Sequence, residues 1–382
     1  MWGISVASAR APRASRSGRG RRRRISRWDR PTARSSIAPR PRSSRVRGAV
    51  RRPIRPTTIE SAAGFHHGSA VQGVREVRRV ISLLPAATEM VCALEAGDRL
   101  VGRSHECDFP ESARELPAVT TSSVEVSASG AEIQSQVAAA LRENRPLFRL
   151  DADRIRDLKP DLILTQGQCA VCAVSAEELE SVLACGFEQR PEVLSLSPAR
   201  FPDLWTDLRR VGAALGLPDE GRFVVTTLKT RLVNTLQSVA DVTVRPRVAC
   251  LEWLDPLMGA GNWIPELVEL AGGSPVCGRA GAHSEWLSWE DLESVRPDVI
   301  VALPCGFDLG RSLAEVSRLR GRDPWTRLAA VQTGRVFAAD GNAYFNRPGP
   351  RLVDSVEILA EILHPDRFPK PVHRNRGWMA VE

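Results

Sequence analysis

Two separated heptapeptides, Leu158-Lys-Pro-Asp-Leu-Ile-Leu164 and Val295-Arg-Pro-Asp-Val-Ile-Val301, share one design. A helix ends, a Pro-Asp pair follows, and a short apolar run begins. Proline has no amide proton to continue a helix and biases the preceding residue toward extended backbone. An apolar run without polar alternation suits a strand buried on both faces, as in a parallel sheet covered by helices. One such unit restricts the local fold; two of them, far apart in the chain, predict two lobes of the same α/β kind.

The remaining segments extend the pattern. Arg79-Val-Ile-Ser-Leu-Leu84 reads as the first strand, with Pro85 opening a helix toward Leu94. Leu100-Val-Gly102 and Val193–Leu196 read as further strands, and Ser129 with Glu132 has the spacing of a capping box. Between the lobes the character changes. Leu204, Leu208, Val211 and Leu215, then Val224, Leu228, Leu232 and Leu236, fall at helical spacing. The second of these helices, opening at Pro218, should run about 22 residues or roughly 33 Å, long enough to bridge two lobes. Strands at Arg247–Leu251, Asp298–Leu303 and Arg335–Ala339 and a closing helix over Leu352–Leu363 complete the second lobe. The expected organisation is a tail over 1–77, an α/β lobe over 78–197, a helical linker over 198–244, a second α/β lobe over 245–366 and a short tail over 367–382.

Charge separates the tail from the rest. Residues 1–58 carry 18 Arg, no Lys and one acid, a net of +17; the whole chain is +8, which leaves −9 for residues 59–382. The folded part therefore has no electrostatic case for nucleic acid. The Arg-, Ser- and Pro-rich tail has too little apolar surface to offset its ordering entropy and is expected to be disordered. It reads as a transit peptide, as a basic arm for nucleic acid or membrane, or as translated GC-rich sequence upstream of the true start; Arg exceeds Lys by 50 to 3 throughout. No secretory apolar segment and no run of about 18 apolar residues is present. Taken at face value this places the chain in the cytoplasm with free thiols. A downstream start would allow a periplasmic or other extracytoplasmic site, and a transit peptide an organellar one. A monomer is expected.

In open α/β sheets ligands bind beyond the carboxyl ends of the strands. That rule selects the loops around Arg103, His105, Glu106, Gln166, Gln168 and Cys169 in the first lobe. In the second it selects those around Glu252, Trp253, Trp263, Cys305, Asn342, Tyr344 and Arg347. Their aromatic content suits a large planar or partly apolar ligand in a cleft between the lobes. Cys169 and Cys172 form a Cys-x-x-Cys pair, but no second pair exists to complete a zinc site. The leading expectation is small loop residues beside a cleft. The alternative is a zinc or thiol-redox centre completed by His105 and Cys107. Cys92, Cys185 and Cys250 read as small buried residues. No phosphate fingerprint, nucleophile elbow or catalytic cluster stands out, so a binding protein is expected rather than an enzyme, with no tightly bound cofactor and no resident metal.

The blocks Arg79–Glu89, Leu100–Pro110, Leu158–Leu164, Gly261–Gly273 and Asp340–Arg351 resemble substrate-binding proteins of ABC importers for vitamin B12 and iron chelates, in particular the cobalamin-binding subgroup. The resemblance spans about residues 78–365. It implies two α/β lobes on a rigid helical backbone, with a corrinoid such as cobalamin or another metal chelate clamped between them and an ABC permease as partner. It also implies ligand contacts at Glu106 and Gln166, with Trp253 and Tyr344 facing the ligand, and work outside the inner membrane. A cytosolic relative that holds or passes on a corrinoid is the other form this expectation takes.

Overall fold

The computed structural model describes residues 76–167 and 174–382. Among the described residues the first lobe carries six strands: β1 (Val80–Ser82), β2 (Leu100–Arg103), β3 (Thr120–Ser122), β4 (Phe148–Leu150), β5 (Leu162–Gln166) and β6 (Glu192–Leu196). Four of them form a parallel sheet in the order β2-β1-β5-β6. β1 and β5 are buried along their whole length, as the unbroken apolar runs predict. β3 and β4 form a separate antiparallel pair around the helix Gly130–Arg142, which opens on a complete Ser129–Glu132 capping box.

The second lobe carries seven strands: β7 (Arg247–Leu254), β8 (Leu257–Gly259), β9 (Ser274–Pro275), β10 (Glu285–Trp286), β11 (Val299–Ala302), β12 (Val336–Ala339) and β13 (Trp378–Ala380). β7, β11 and β12 are parallel at its centre, with β9 parallel to β7. β8, β10 and β13 are antiparallel additions at the flanks. The last strand corrects the reading of residues 367–382 as a tail. The Trp378 indole is buried and donates to Glu361 Oε2 at 2.7 Å, which pins β13 against β12 and the closing helix.

Between the lobes run the helices Asp203–Ala214 and Pro218–Ser238, the second of them 21 residues long. The two pack closely because Gly212 faces the Leu217 carbonyl and Gly221; a Cβ on Gly212 would lie 2.8 Å from that oxygen. Arg231 on the long helix bonds Asp354 at 2.8 Å and Glu357 at 2.7 Å on the closing helix Leu352–Leu363. One apolar cluster runs through both lobes and this connector, including Val80, Leu204, Leu228, Val248 and Leu359. The long helix is therefore packed into the core rather than suspended between lobes. Among the described residues no helix is long and apolar enough to cross a membrane.

Candidate functional site

The loop leaving β2 and the loop leaving β12 meet across a cleft of about 370 Å³. Its walls come from both lobes: Arg103, His105, Glu106, Cys107, Asp108, Arg114 and Val126 on one side, Gly306, Arg311, Asn342 and Arg347 on the other. The cleft lies where the strand-end rule places it.

Arg103 shapes the first wall. Its guanidinium donates to the carbonyl oxygens of Ser104, His105, Arg114 and Leu116 at 3.0–3.3 Å. That engages four of its five N–H donors, so it holds the loop rather than offering a free charge. The His105 ring lies 5.6 Å from Phe148, and its Nδ1 is 2.6 Å from Thr120 Oγ1. Burial pushes its pKa below the usual value, so the imidazole is neutral at pH 7.

The two lobes are tied by charge at the base of the cleft. Arg347 contacts Asp108 at 2.5 and 3.1 Å, Asn342 Oδ1 at 2.8 Å and the Glu106 carbonyl at 3.2 Å. Asn342 also donates to Asp108 at 3.2 Å. Burial alone would raise the Asp108 pKa, but the Arg347 hydrogen bonds and charge, with Asn342 and Arg351, outweigh it and hold the carboxyl below the usual range. Behind this pair, Glu89 takes two bonds from Arg351 at 2.9 and 2.6 Å and sits 3.5 Å from Arg347. Arg351 also lies over the Phe109 ring at 4.1 Å.

A second tie is apolar. Val124, Ile133, Val137 and Phe148 from the β3–β4 excursion pack with Trp253, Met258, Cys305 and Phe307 of the second lobe. The Trp253 and Phe307 rings meet edge-on with centroids 5.4 Å apart. Arg311 lies 3.8 Å over Phe307 and donates to the Ala128 carbonyl at 2.9 Å.

Of the residues selected from the sequence, Arg103, His105, Glu106, Asn342 and Arg347 line the cleft together. Gln166 is buried at the carboxyl end of β5. Gln168, Cys169 and Cys172 lie outside the described residues. The aromatic positions differ from expectation. Trp253 is 3% exposed because the β3–β4 excursion covers it. Trp263 is core, with its indole N–H donating to the Phe345 carbonyl at 2.8 Å. Tyr344 is half-buried and faces His373 of the carboxyl-terminal segment, ring centroids 6.1 Å apart. Cys305 is buried in the inter-lobe apolar cluster, and Glu252 is buried with its carboxylate accepting from Ser284 Oγ at 2.5 Å. Burial pushes the Glu252 pKa up to about 7, against the lowering effect of Ser284. Cys185, expected to be buried, is exposed at the end of its helix, while Cys250 is buried and Cys92 partly so.

Among the described residues, the thiol lining the cleft is Cys107. Burial pushes its pKa up to about 12, and its Sγ accepts from Thr88 Oγ1 at 3.0 Å. A protonated thiol with a hydrogen-bond partner is a poor metal ligand. The residues that sequence reasoning missed are Glu89, Asp108, Arg311 and Arg351. Glu89 had a signal: it is the one charged residue in the helix Pro85–Ala93.

The family model for periplasmic binding proteins matches residues 80–343, more than half of the chain. The chain belongs to the periplasmic binding protein family. Among the relatives of this periplasmic binding protein is an ABC transporter substrate-binding lipoprotein of Bacillus subtilis, 22% identical over 82% of this chain and 87% of that one. The vitamin B12-binding protein of Vibrio cholerae is 24% identical over 75% of this chain and 88% of its own length. The apo periplasmic haem-binding protein of Roseiflexus sp. RS-1 superposes with a TM-score of 0.59 at 22% identity, covering 76% of this chain and 99% of that one. The Vibrio cholerae B12-binding protein structure gives 0.56 at 22% identity, covering 75% and 96%. These likenesses establish the two-lobed fold expected from the sequence.

Proposed function

We propose that the chain reversibly binds a metal macrocycle of the corrinoid or haem kind between its lobes, without chemical change, and delivers it to an ABC permease from the extracytoplasmic side. The observation that carries this reading is the cleft itself: loops at strand ends of both lobes converge on one space, with Asp108, Asn342 and Arg347 meeting across it. The named ligands of the relatives, vitamin B12 and haem, support the ligand class. At about 370 Å³ the cleft lies toward the small end of ligand pockets, which span roughly 300–1,000 Å³. A whole macrocycle requires the lobes to part, and the Arg347 and Trp253 contacts are what must yield.

Titration with aquocobalamin and haemin, followed by visible absorbance and thermal unfolding, tests the reading. A ligand that binds only the folded state stabilises it by about 2.7 kcal/mol at a hundredfold excess over Kd. A melting temperature unmoved by saturating amounts of both would sink the proposal.

A further inference from the structure

We propose that the carboxyl-terminal segment, residues 371–380, is a buttress for the second-lobe wall of the cleft, with His373 as its positioning residue; the proposal rests on the cleft being the ligand site. The segment is firmly anchored. The Glu361 carboxylate on the closing helix is buried and accepts three donors from it: the N–H of Val372 at 2.6 Å, that of His373 at 3.1 Å and the Trp378 indole at 2.7 Å. The His373 ring is buried as well, with Nε2 3.0 Å from Glu357 Oε2. Burial alone would raise the Glu357 pKa, but the bonds from His373 and Arg231 outweigh it and hold the carboxyl below its usual value. Glu357 is therefore an ionised acceptor, and His373 Nε2 donates to it. Arg231 ties the same carboxylate to the connector at 2.7 Å. The orientation of His373 is thus set by the element that joins the two lobes.

His373 stands outside the cleft lining and reaches it through Tyr344. Tyr344 belongs to the turn Gly341–Phe345, which carries Asn342 and leads into Arg347. The turn is wide: the Asn346 N–H donates to the Gly341 carbonyl five residues back, at 2.9 Å. Such turns are rare and gather at functional sites. The lobe interior holds the turn's backbone through Asn346, which donates to the Leu303 carbonyl, and Ser355, which donates to that of Tyr344. The carboxyl-terminal segment adds the rest. Asp340 caps the turn by accepting the Ala343 N–H at 2.6 Å, and its own N–H donates to the Gly377 carbonyl at 2.9 Å. A Cβ on Gly377 would lie 2.6 Å from Ile358 and 3.3 Å from the Tyr344 ring, so the segment runs in close contact with both. The Tyr344 ring meets His373 edge-on, with Arg351 5.6 Å over it. From this turn Arg347 and Asn342 reach Asp108, and Arg347 reaches the Glu106 carbonyl, in the first lobe. A continuous set of contacts therefore runs from Arg231 through Glu357, His373 and Tyr344 to the residues that meet across the cleft.

Hydrogen exchange on the ligand-free full chain is the first readout. His373→Ala should speed exchange of the Asn342–Arg347 amides by about tenfold. It should also speed the amides of Glu106 and Cys107, which lie across the cleft in the loop that Arg347 bonds. A residue that merely packs its own segment would leave those two unmoved. His373→Phe restores a ring against Tyr344 without the Glu357 bond. It should return exchange on both sides of the cleft to within about threefold of wild type, while thermal unfolding keeps the stability loss. The second readout is titration with haemin and aquocobalamin: His373→Ala should weaken whichever probe the wild type binds by about tenfold, and His373→Phe should recover it. Unchanged exchange at Glu106 and Cys107, exchange there rising in step with the connector Pro218–Ser238, or unchanged probe affinity would overturn the buttress and leave the macrocycle reading standing. Wild-type protein that binds neither probe sinks the macrocycle reading, and exchange at Glu106 and Cys107 then decides the buttress by itself. If His373→Ala does not fold, Tyr344→Leu breaks the same contact from the other side and is read in the same way.

Discussion

Arg347 is 4% exposed, and its charge is tolerated because Asp108 and Asn342 meet it in hydrogen-bonding geometry. A buried ion pair is weak support for stability as a whole, but removing one partner strands the other. Arg347→Met should therefore destabilise the fold by about 3–5 kcal/mol in urea unfolding at pH 7. The same variant should flatten the acid limb. A carboxyl whose pKa is depressed on folding contributes stability that is complete above the usual carboxylate range and lost as pH falls through its folded value. Glu252 has the opposite sign. Its pKa is raised to about 7, so from its ordinary value of 4.5 up to about 7 the unfolded chain releases a proton that the folded one keeps. Stability should fall over that window by about 3 kcal/mol. Glu252→Gln, which preserves shape and the Ser284 contact, should remove most of that slope when urea midpoints are compared at pH 5 and pH 8. At this scale the sequence was legible for charged loop residues and misleading for aromatics. His105, Glu106, Asn342 and Arg347 follow from the strand-end rule alone. Trp253 follows the same rule but is covered by the helix Gly130–Arg142, which lies more than a hundred positions earlier in the chain, a long-range contact that no local pattern encodes.

The elements that carry their own start and stop signals were the readable ones. Pro218 opens the long helix, and the expected length of about 22 residues compares with 21 observed. Ser129 and Ser288 each form a complete capping box. Ser129→Ala should cost about 1 kcal/mol, because it leaves an amide at the helix start without its acceptor. The effect should appear in hydrogen exchange of the first turn of Gly130–Arg142 before it appears in global unfolding. Three of the short strands were not legible. β3, β4 and β13 have three residues each, too few for a periodicity to register, and all three exist through pairing with a distant partner. The helical connector adds a constraint visible only in three dimensions. Gly212 reads as a poor helix residue, yet any side chain there meets the Leu217 carbonyl. Gly212→Ala should destabilise by about 1–3 kcal/mol despite its better helix propensity, since the clash is with backbone that cannot rotate away.

At the scale of the molecule, three kinds of contact join the halves among the described residues. The connector shares its core with both, Glu89 and Asp108 meet Arg347 and Arg351, and Trp253 and Phe307 are packed beneath the β3–β4 excursion. Only the first is indifferent to the separation of the lobes at the cleft. On the proposed reading the other two must open for a macrocycle to enter; they would then set the balance between closed and open forms, and a ligand would shift that balance only by its preference for one of them. Trp253 is the sharper probe, because its loss removes apolar contact without stranding a charge. Trp253→Ala should cost about 3–5 kcal/mol in unfolding free energy, as for other buried aromatic truncations. It should also move the population toward the open form. Small-angle scattering of the ligand-free protein should then give a larger radius of gyration for the variant than for wild type, with the connector's helical signal unchanged. If the variant lost the stability but kept the wild-type radius, Trp253 would be a packing residue within a single rigid body, and control of opening would pass to the Arg347 network alone.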